Sequence, residues 1–298
     1  MKLSRYIYCK KRVYAVESII KCSILYAILS IIMVLTMTAC GPSSKEDSIS
    51  ISGSSALLPL ADNAAKDYMA KNPGSKISVQ AGGSGQGLTQ VYQGAVNIGN
   101  SDVYAEEKLK SEEAKELKDH VVCAVGIAVV VNPNVKADNL TSQQLIDIFT
   151  GKITNWKDVG GNDMKITLIN RPSNSGTRAT FKKYALMGAD EAEGMALKED
   201  QSGTVKQTVS QTEGAISYLA FSYLDDKTKP LKIDGVEPTS ENVSNGTYPV
   251  WAYEHMYTKG EATGLTKSFI DYILSEEVQD NLVTKLKFIP IKDMKVKR

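Results

Sequence analysis

Histidine is nearly absent: His120 and His255 are the only two in 298 residues, and the four cysteines are scattered. A zinc cluster needs several such ligands at close spacing, and a disulfide-framed module needs a denser cysteine set, so neither class fits. Nor is there an excess of one charge sign, with 35 Lys and Arg against 34 Asp and Glu. That balance hides an asymmetry. Residues 1–39 hold Lys2, Arg5, Lys10, Lys11, Arg12 and Lys21 against Glu17 alone, while the other 259 residues carry 29 basic and 33 acidic side chains, a net −4. A mildly acidic body has no electrostatic footprint for nucleic acid, which calls for a basic face. Nucleotide and nucleophile motifs are missing as well. No G-x-x-x-x-G-K-[ST] loop occurs, and GGSGQG (Gly82–Gly87) departs from G-x-G-x-x-G at Ser84. Gly82-Gly83-Ser84-Gly85-Gln86 lacks the closing glycine of a nucleophile elbow. With 42% apolar and 23% charged residues, the composition is that of an ordinary globular chain, long enough for two domains.

What is there begins with a long uncharged run. Cys22–Ser44 contains 23 residues without a charge, and its centre, SILYAILSIIMVLTM (Ser23–Met37), is almost wholly apolar. A basic start followed by an apolar run is the pattern of an export signal. A permanent membrane anchor is the alternative, because about 20 apolar residues span a bilayer. The run ends Met37-Thr38-Ala39-Cys40-Gly41. Small residues before a cysteine resemble the lipobox of bacterial lipoproteins, although Met37 stands where Leu is usual. That resemblance implies a signal peptide over 1–39, a lipid on Cys40 as the new N-terminus, and a polar tether over 40–47. Cys123, inside VVCAVGIAVVV, reads as a buried, inert thiol.

From Ser48 onward, β-like runs alternate with segments of helical spacing. SISIS (Ser48–Ser52), KISVQA (Lys76–Ala81) and AVNIGNSD (Ala95–Asp102) read as strands, and Leu57–Pro73 and GLTQVYQGA read as helices. The charged stretch Glu106–Lys118 predicts a helix, and His120–Asn132 a long strand ended by Pro133. TGLTKSFIDYILSEEVQDNLVTKL predicts one amphipathic closing helix. The alternation argues for an α/β architecture with a largely parallel sheet. Val121–Val131 and Thr247–Thr258 are the candidate strands crossing between two cores. That places lobe 1 at 47–125 plus 250–298 and lobe 2 at 126–249.

Four segments share one design, a strand end followed by small hydroxyl and glycine residues and then a helix: GSSALLP (Gly53–Pro59), GGSGQGL (Gly82–Leu88), GNSDVYAEE (Gly99–Glu107) and NRPSNSGTRATF (Asn170–Phe181). Unpaired N–H groups and the positive dipole end make such loops receptive to an oxyanion. Ser and Thr add donors, and glycine lets the backbone approach. For a single loop, simple N-capping explains the composition equally well.

In this order and spacing, GSSALLP, QAGGSGQG, NIGNSD and NRPSNSGTRATF, with FTGKITNW and ISYLAF, resemble the phosphate-binding lipoproteins of bacterial phosphate ABC transporters. The resemblance covers nearly all of residues 48–290. It implies an α/β, two-lobe periplasmic-binding-protein-like fold (type II), with the ligand cleft between lobes joined by crossing strands. It implies no catalysis and no cofactor. The chain would be a monomer, lipid-anchored on the extracytoplasmic face of the cell membrane, delivering phosphate to a permease and its ATPase.

Carried over residue by residue, the first loop supplies Ser55, Ala56, Leu57 and Leu58, partly through backbone N–H groups. Ser84 and Asp102 come from the second and third loops, and Arg171, Ser175, Gly176 and Thr177 from the fourth. Leu57-Leu58 stands where relatives often have Thr-Phe, and Ser173 where some have an acid that holds the arginine. Arg178 reads equally as a surface neighbour or a ligand contact. Arg171 offers a planar fork to two oxygens. Asp102 suits a ligand that still carries a proton, as phosphate does and sulfate does not. A site for another tetrahedral oxyanion, sulfate or molybdate, is the alternative. So is an exported phosphate-ester hydrolase using Ser84 or Asp102, which would need a metal cluster or an activated nucleophile. An adhesion or sensing lipoprotein with a secondary anion site is the third.

Overall fold

A computed structural model describes residues 48–193 and 196–298. The signal, Cys40 and tether assignments therefore lie outside the described residues. Among the described residues no helix is long and apolar enough to cross a membrane.

The principal elements, in chain order, are β1 (Ser48–Gly53), α1 (Leu58–Lys71), β2 (Lys76–Ala81), α2 (Ser84–Tyr92), β3 (Ile98–Ser101) and β4 (Leu117–Val131). They continue with α3 (Ser142–Phe149), β5 (Thr167–Asn170), α4 (Gly176–Tyr184), α5 (Ser202–Gln211), β6 (Ala215–Ala220), β7 (Trp251–Lys259) and α6 (Gly264–Leu274). α1 shows how the local rules work. Pro59 occupies its first turn, where a missing N–H costs nothing, and Leu60, Ala61, Ala64 and Ala65 form its buried stripe. Lys71 in the last turn suits the dipole, and Asn72 closes the helix by donating to the Tyr68 carbonyl.

The strands form one sheet in the order β2-β1-β3-β7-β4-β6-β5, extended by short edge pieces. It is not largely parallel. β1 pairs parallel with β2 and β3, and β5 pairs parallel with β6. β7 is antiparallel to β3 and β4, and β4 is antiparallel to β6. The difference comes from β4 and β7, long strands that run past each other in opposite directions between two apolar clusters. Along β4, Val122, Cys123 and Val125 belong to one cluster, with Ile51, Leu60 and Phe269. Ala124 and Ile127–Val131 belong to the other, with Phe149, Trp156 and Phe181. Cys123 is free and fully buried, and burial pushes its thiol well up.

Two helix expectations fail. Glu106–Lys118 is not one helix but a short turn, Ala105–Glu107, a single helical turn, Ser111–Ala114, and the start of β4. Its acids act as caps: Glu107 accepts from the Tyr104 N–H and Glu113 from the Lys110 N–H, each restarting the chain. Pairing of β4 with β7 as far as Lys259 then draws Leu117 and Lys118 into the sheet. The closing helix stops at Leu274 because Ser275 is extended, and the chain resumes as a wider-turned segment, Val278–Val283.

Candidate functional site

The loop after β1 begins at a contact that only glycine permits. Gly53 has φ +137°, and a Cβ there would lie 2.1 Å from the Asn100 carbonyl oxygen, so the ends of β1 and β3 touch. Ser54 Oγ accepts from the N–H groups of Ala56 (3.0 Å) and Leu57 (3.2 Å), so those two expected donors are engaged within their own loop. Leu58 opens α1 and is partly exposed. Ser55 points the other way. Its Oγ accepts from Arg171 Nη2 (3.1 Å) and from the Ser202 N–H (3.1 Å), and lies 2.9 Å from Ser202 Oγ. Tyr223 donates its hydroxyl to the Ser55 carbonyl at 2.7 Å, and burial raises that phenol's pKa.

Arg171, directly after β5, is 1% exposed. Nη2 also donates to the Asp200 carbonyl (2.6 Å), Nη1 lies 3.4 Å from Ser202 Oγ, and Nε has no partner among the described residues. Its hydrogen-bond partners among the described residues are thus hydroxyls and a carbonyl, never a carboxylate. Burial lowers its pKa from the usual guanidinium value, opposed by Tyr218, Asp102 and Asp200. A buried cation with no carboxylate hydrogen-bonded to it is costly, and such a position is able to receive negative charge.

Arg178 is the opposite case. It forms ion pairs with Glu191 (3.1 Å) and Glu193 (3.6 Å) and donates to the Arg171 carbonyl at 2.7 Å. It therefore holds the backbone of Arg171. Glu191 is pushed up by burial and pulled back by Arg178, and it accepts from the Tyr218 hydroxyl at 2.8 Å. Tyr218 in turn stacks on Phe181 with ring centroids 4.1 Å apart, which fixes α4 against β6. Packing in this core thus sets where the start of α4 stands.

At that start, Ser175 Oγ accepts from the Arg178 N–H (3.2 Å) and caps the helix. Gly176 brings the helix against α2: a Cβ on it would lie 2.1 Å from Ser84 Oγ and 3.1 Å from Asp102 Cβ. Thr177 Oγ1 donates to Asp102 Oδ2 at 2.6 Å. Ser84 Oγ accepts from the Asp102 N–H (3.0 Å) and faces Asp102 Oδ1 at 3.3 Å. The backbone seals the junction, with the Gly85 N–H donating to the Asn174 carbonyl (3.0 Å) and Asn174 Nδ2 to the Gly82 carbonyl (3.2 Å).

The structure therefore gathers Ser84, Asp102, Gly176 and Thr177 into one cluster and Ser55 and Arg171 into another. Ala56, Leu57 and Ser175 serve local caps in this state. Ser202 was missed by sequence reasoning although Gln201-Ser202-Gly203-Thr204 repeats the pattern of small hydroxyl and glycine residues before a helix. Chemically, one cluster offers charged and hydroxyl donors, and the other offers a carboxylate flanked by hydroxyls. An oxyanion that still bears a proton satisfies both.

Comparison with known proteins gives the same direction. The family model for the PBP superfamily domain matches residues 39–277. The chain is 57% identical over 262 residues to the phosphate-binding protein PstS of Bacillus subtilis, covering 88% of this chain and 86% of that one. A candidate phosphate ABC transporter substrate-binding protein of Clostridium perfringens, solved with bound phosphate, is 39% identical with a TM-score of 0.76, covering 82% of this chain and 99% of that one. An ABC-type phosphate transport receptor of Vibrio cholerae is 31% identical with a TM-score of 0.64, covering 81% and 99%.

Proposed function

The chain belongs to the PBP superfamily and, within it, to the phosphate-binding proteins of bacterial phosphate ABC transporters, and on that premise we propose how its own residues bind inorganic phosphate for import. The observation that carries the proposal is Arg171, buried with hydroxyl and carbonyl partners and an unpartnered Nε. Arg171, Ser55 and the loop at Ser202 hold the anion's charged oxygens. Asp102 accepts the proton that phosphate retains near neutral pH, with Ser84 and Thr177 fixing the carboxylate. Sulfate brings no such proton, so it meets Asp102 as one acceptor against another, which is why the reading favours phosphate over sulfate or molybdate.

Lobe 1 (47–125 plus 250–298) and lobe 2 (126–249) act as jaws, since the donors come from both and β4 and β7 cross between them. No bond of the ligand is made or broken: the protein delivers phosphate, as a monomer, to the permease and its ATPase. Cys40 carries a lipid that holds the body on the extracytoplasmic face of the membrane. An intact mass retaining residues 1–39 without modification would contradict the anchor. Calorimetric titration of residues 47–298 with phosphate and with sulfate tests the binding itself. Saturable phosphate binding with much weaker sulfate binding is expected; equal affinities would return the site to the general oxyanion class.

A further inference from the structure

Glu254 sits where its strand calls for an apolar residue. Ala252 and Met256, two positions away on either side, share its face of β7 and belong to the apolar cluster around Ile51 and Phe269. Glu254 is nonetheless 0% exposed, and neither carboxyl oxygen has a hydrogen-bond donor among the described residues. It pairs across the ladder with Cys123, and the register of β7 on β4 slips immediately after it, so that His255 faces Val121. Such irregularities re-aim a side chain. His255 pairs with Ser101 where β7 runs antiparallel to β3, so the register sets Glu254 opposite Asp102, itself 3% exposed, and the two carboxyls meet. Among the described residues the Cys123 thiol pairs with it across the ladder from β4, and the Tyr223 phenol, in the turn after β6, is near enough to feel its charge; burial raises both, so both are neutral.

Two buried carboxyls in hydrogen-bond contact cannot both be ionised. Asp102 has donors on both oxygens, Thr177 Oγ1 at 2.6 Å and Ser84 Oγ at 3.3 Å, whereas Glu254 has none. Hydroxyl donors favour an ionised acceptor, so the shared proton belongs on Glu254. Burial first, and Asp102 second, push the Glu254 carboxyl well above its ordinary range. A carboxylate has about four lone-pair sites on its two oxygens. Ser84, Thr177 and Glu254 fill three, which leaves one for a ligand.

We propose that Glu254 is a neutral, proton-bearing acid that donates its O–H to the Asp102 carboxylate, holding the pair at a single negative charge and leaving Asp102 one free acceptor for one ligand hydroxyl. Glu254 is then a positioning residue: it does not touch phosphate, and it determines which protonation state the site takes. The inference rests on the phosphate reading, and its first test does not need phosphate at all.

Infrared difference spectra between wild type and Glu254→Gln at neutral pH should show the carbonyl stretch of an un-ionised carboxylic acid in the wild type alone. Glu191, also pushed up by burial, is present in both samples and cancels. Absence of that band overturns the proposal whatever the protein binds. Calorimetry is the second arm. Glu254→Leu suits the apolar face but removes the donor, and should lower the phosphate-over-sulfate preference by about tenfold. Glu254→Gln, which keeps a neutral donor, should restore most of it. If Glu254→Gln instead strengthens phosphate and sulfate binding by the same factor, Glu254 was a second anion and the proposal fails. A wild type that shows the band but binds no phosphate would sink the function and leave the protonation standing.

Discussion

At one end of the site a fully buried arginine is surrounded by hydroxyls and a carbonyl; at the other, two carboxyls press together among hydroxyls. On the proposed reading the arginine end attracts any anion, because its charge is desolvated and hydrogen-bonded to no carboxylate among the described residues. On the same reading the aspartate end repels every anion that cannot contribute a proton. Attraction alone would make an indiscriminate trap, and repulsion alone would make no site. In the proposed site, selectivity comes from presenting the two ends to one small ligand at once.

The largest loss is expected at Arg171. Arg171→Gln removes the charge but not the fold, and should weaken phosphate and sulfate alike by about 2–5 kcal/mol, roughly thirtyfold to several thousandfold in Kd by calorimetry. Arg171→Lys should fall between, since one ammonium keeps the charge but cannot present two oxygens with the planar fork of a guanidinium. If phosphate affinity survives Arg171→Gln, the attraction lies elsewhere.

Asp102→Asn attacks the other end and should change the ratio more than the affinity. The amide relieves the clash with sulfate, so the sulfate-to-phosphate affinity ratio should rise by roughly tenfold to several hundredfold, both anions titrated at one pH and salt concentration. An unchanged ratio would reduce Asp102 to a loop cap.

Gly176→Ala leaves both ends chemically intact and disturbs only their spacing. The added methyl must displace Ser84 Oγ, 2.1 Å from its ideal position, and with it Asp102. Overpacking of this kind costs about 1–3 kcal/mol, so phosphate binding should weaken by about tenfold or more while the circular dichroism spectrum is retained.

The smallest effect is on stability. Because the folded-state pKa of Glu254 is raised, its contribution to folding is fully present below the ordinary carboxylate pKa and is lost as pH rises through the folded value. Glu254→Gln removes that loss, so its Tm relative to wild type should climb between acid and neutral pH. A change of about 1 kcal/mol would read as about 2–4 °C. Parallel Tm profiles for the two proteins would mean that Glu254 binds its proton no more tightly in the folded chain than in the unfolded one.

The four hydroxyl- and glycine-rich loops were legible because their composition is local: Ser84, Thr177 and Gly176 sit next to the strand ends and helix starts that use them. Ser202 was legible in principle, since the same local pattern precedes α5. The charged stretch 106–118 misled because acids that favour a helix interior also make reciprocal caps, and only the pairing of Leu117–Lys118 with β7 decided between them. Ser54 was equally opaque: which N–H groups it holds depends on the turn that its own loop adopts.

The amino-acid sequence by itself determined the alternation of strands and helices, the loops able to receive an oxyanion, and an arginine and an aspartate of suitable chemistry. These follow from periodicity, backbone freedom and side-chain type, which are properties of short stretches. Only the tertiary structure decided that Arg171 is buried with no carboxylate hydrogen-bonded to it among the described residues, that Arg178 is spent on Glu191 and the Arg171 backbone, and that Glu254 stands behind Asp102. The charge state of a buried group is set by desolvation and by what touches it, and β3 and β7, which bring those two carboxyls together, are neighbours in the sheet but far apart in the chain.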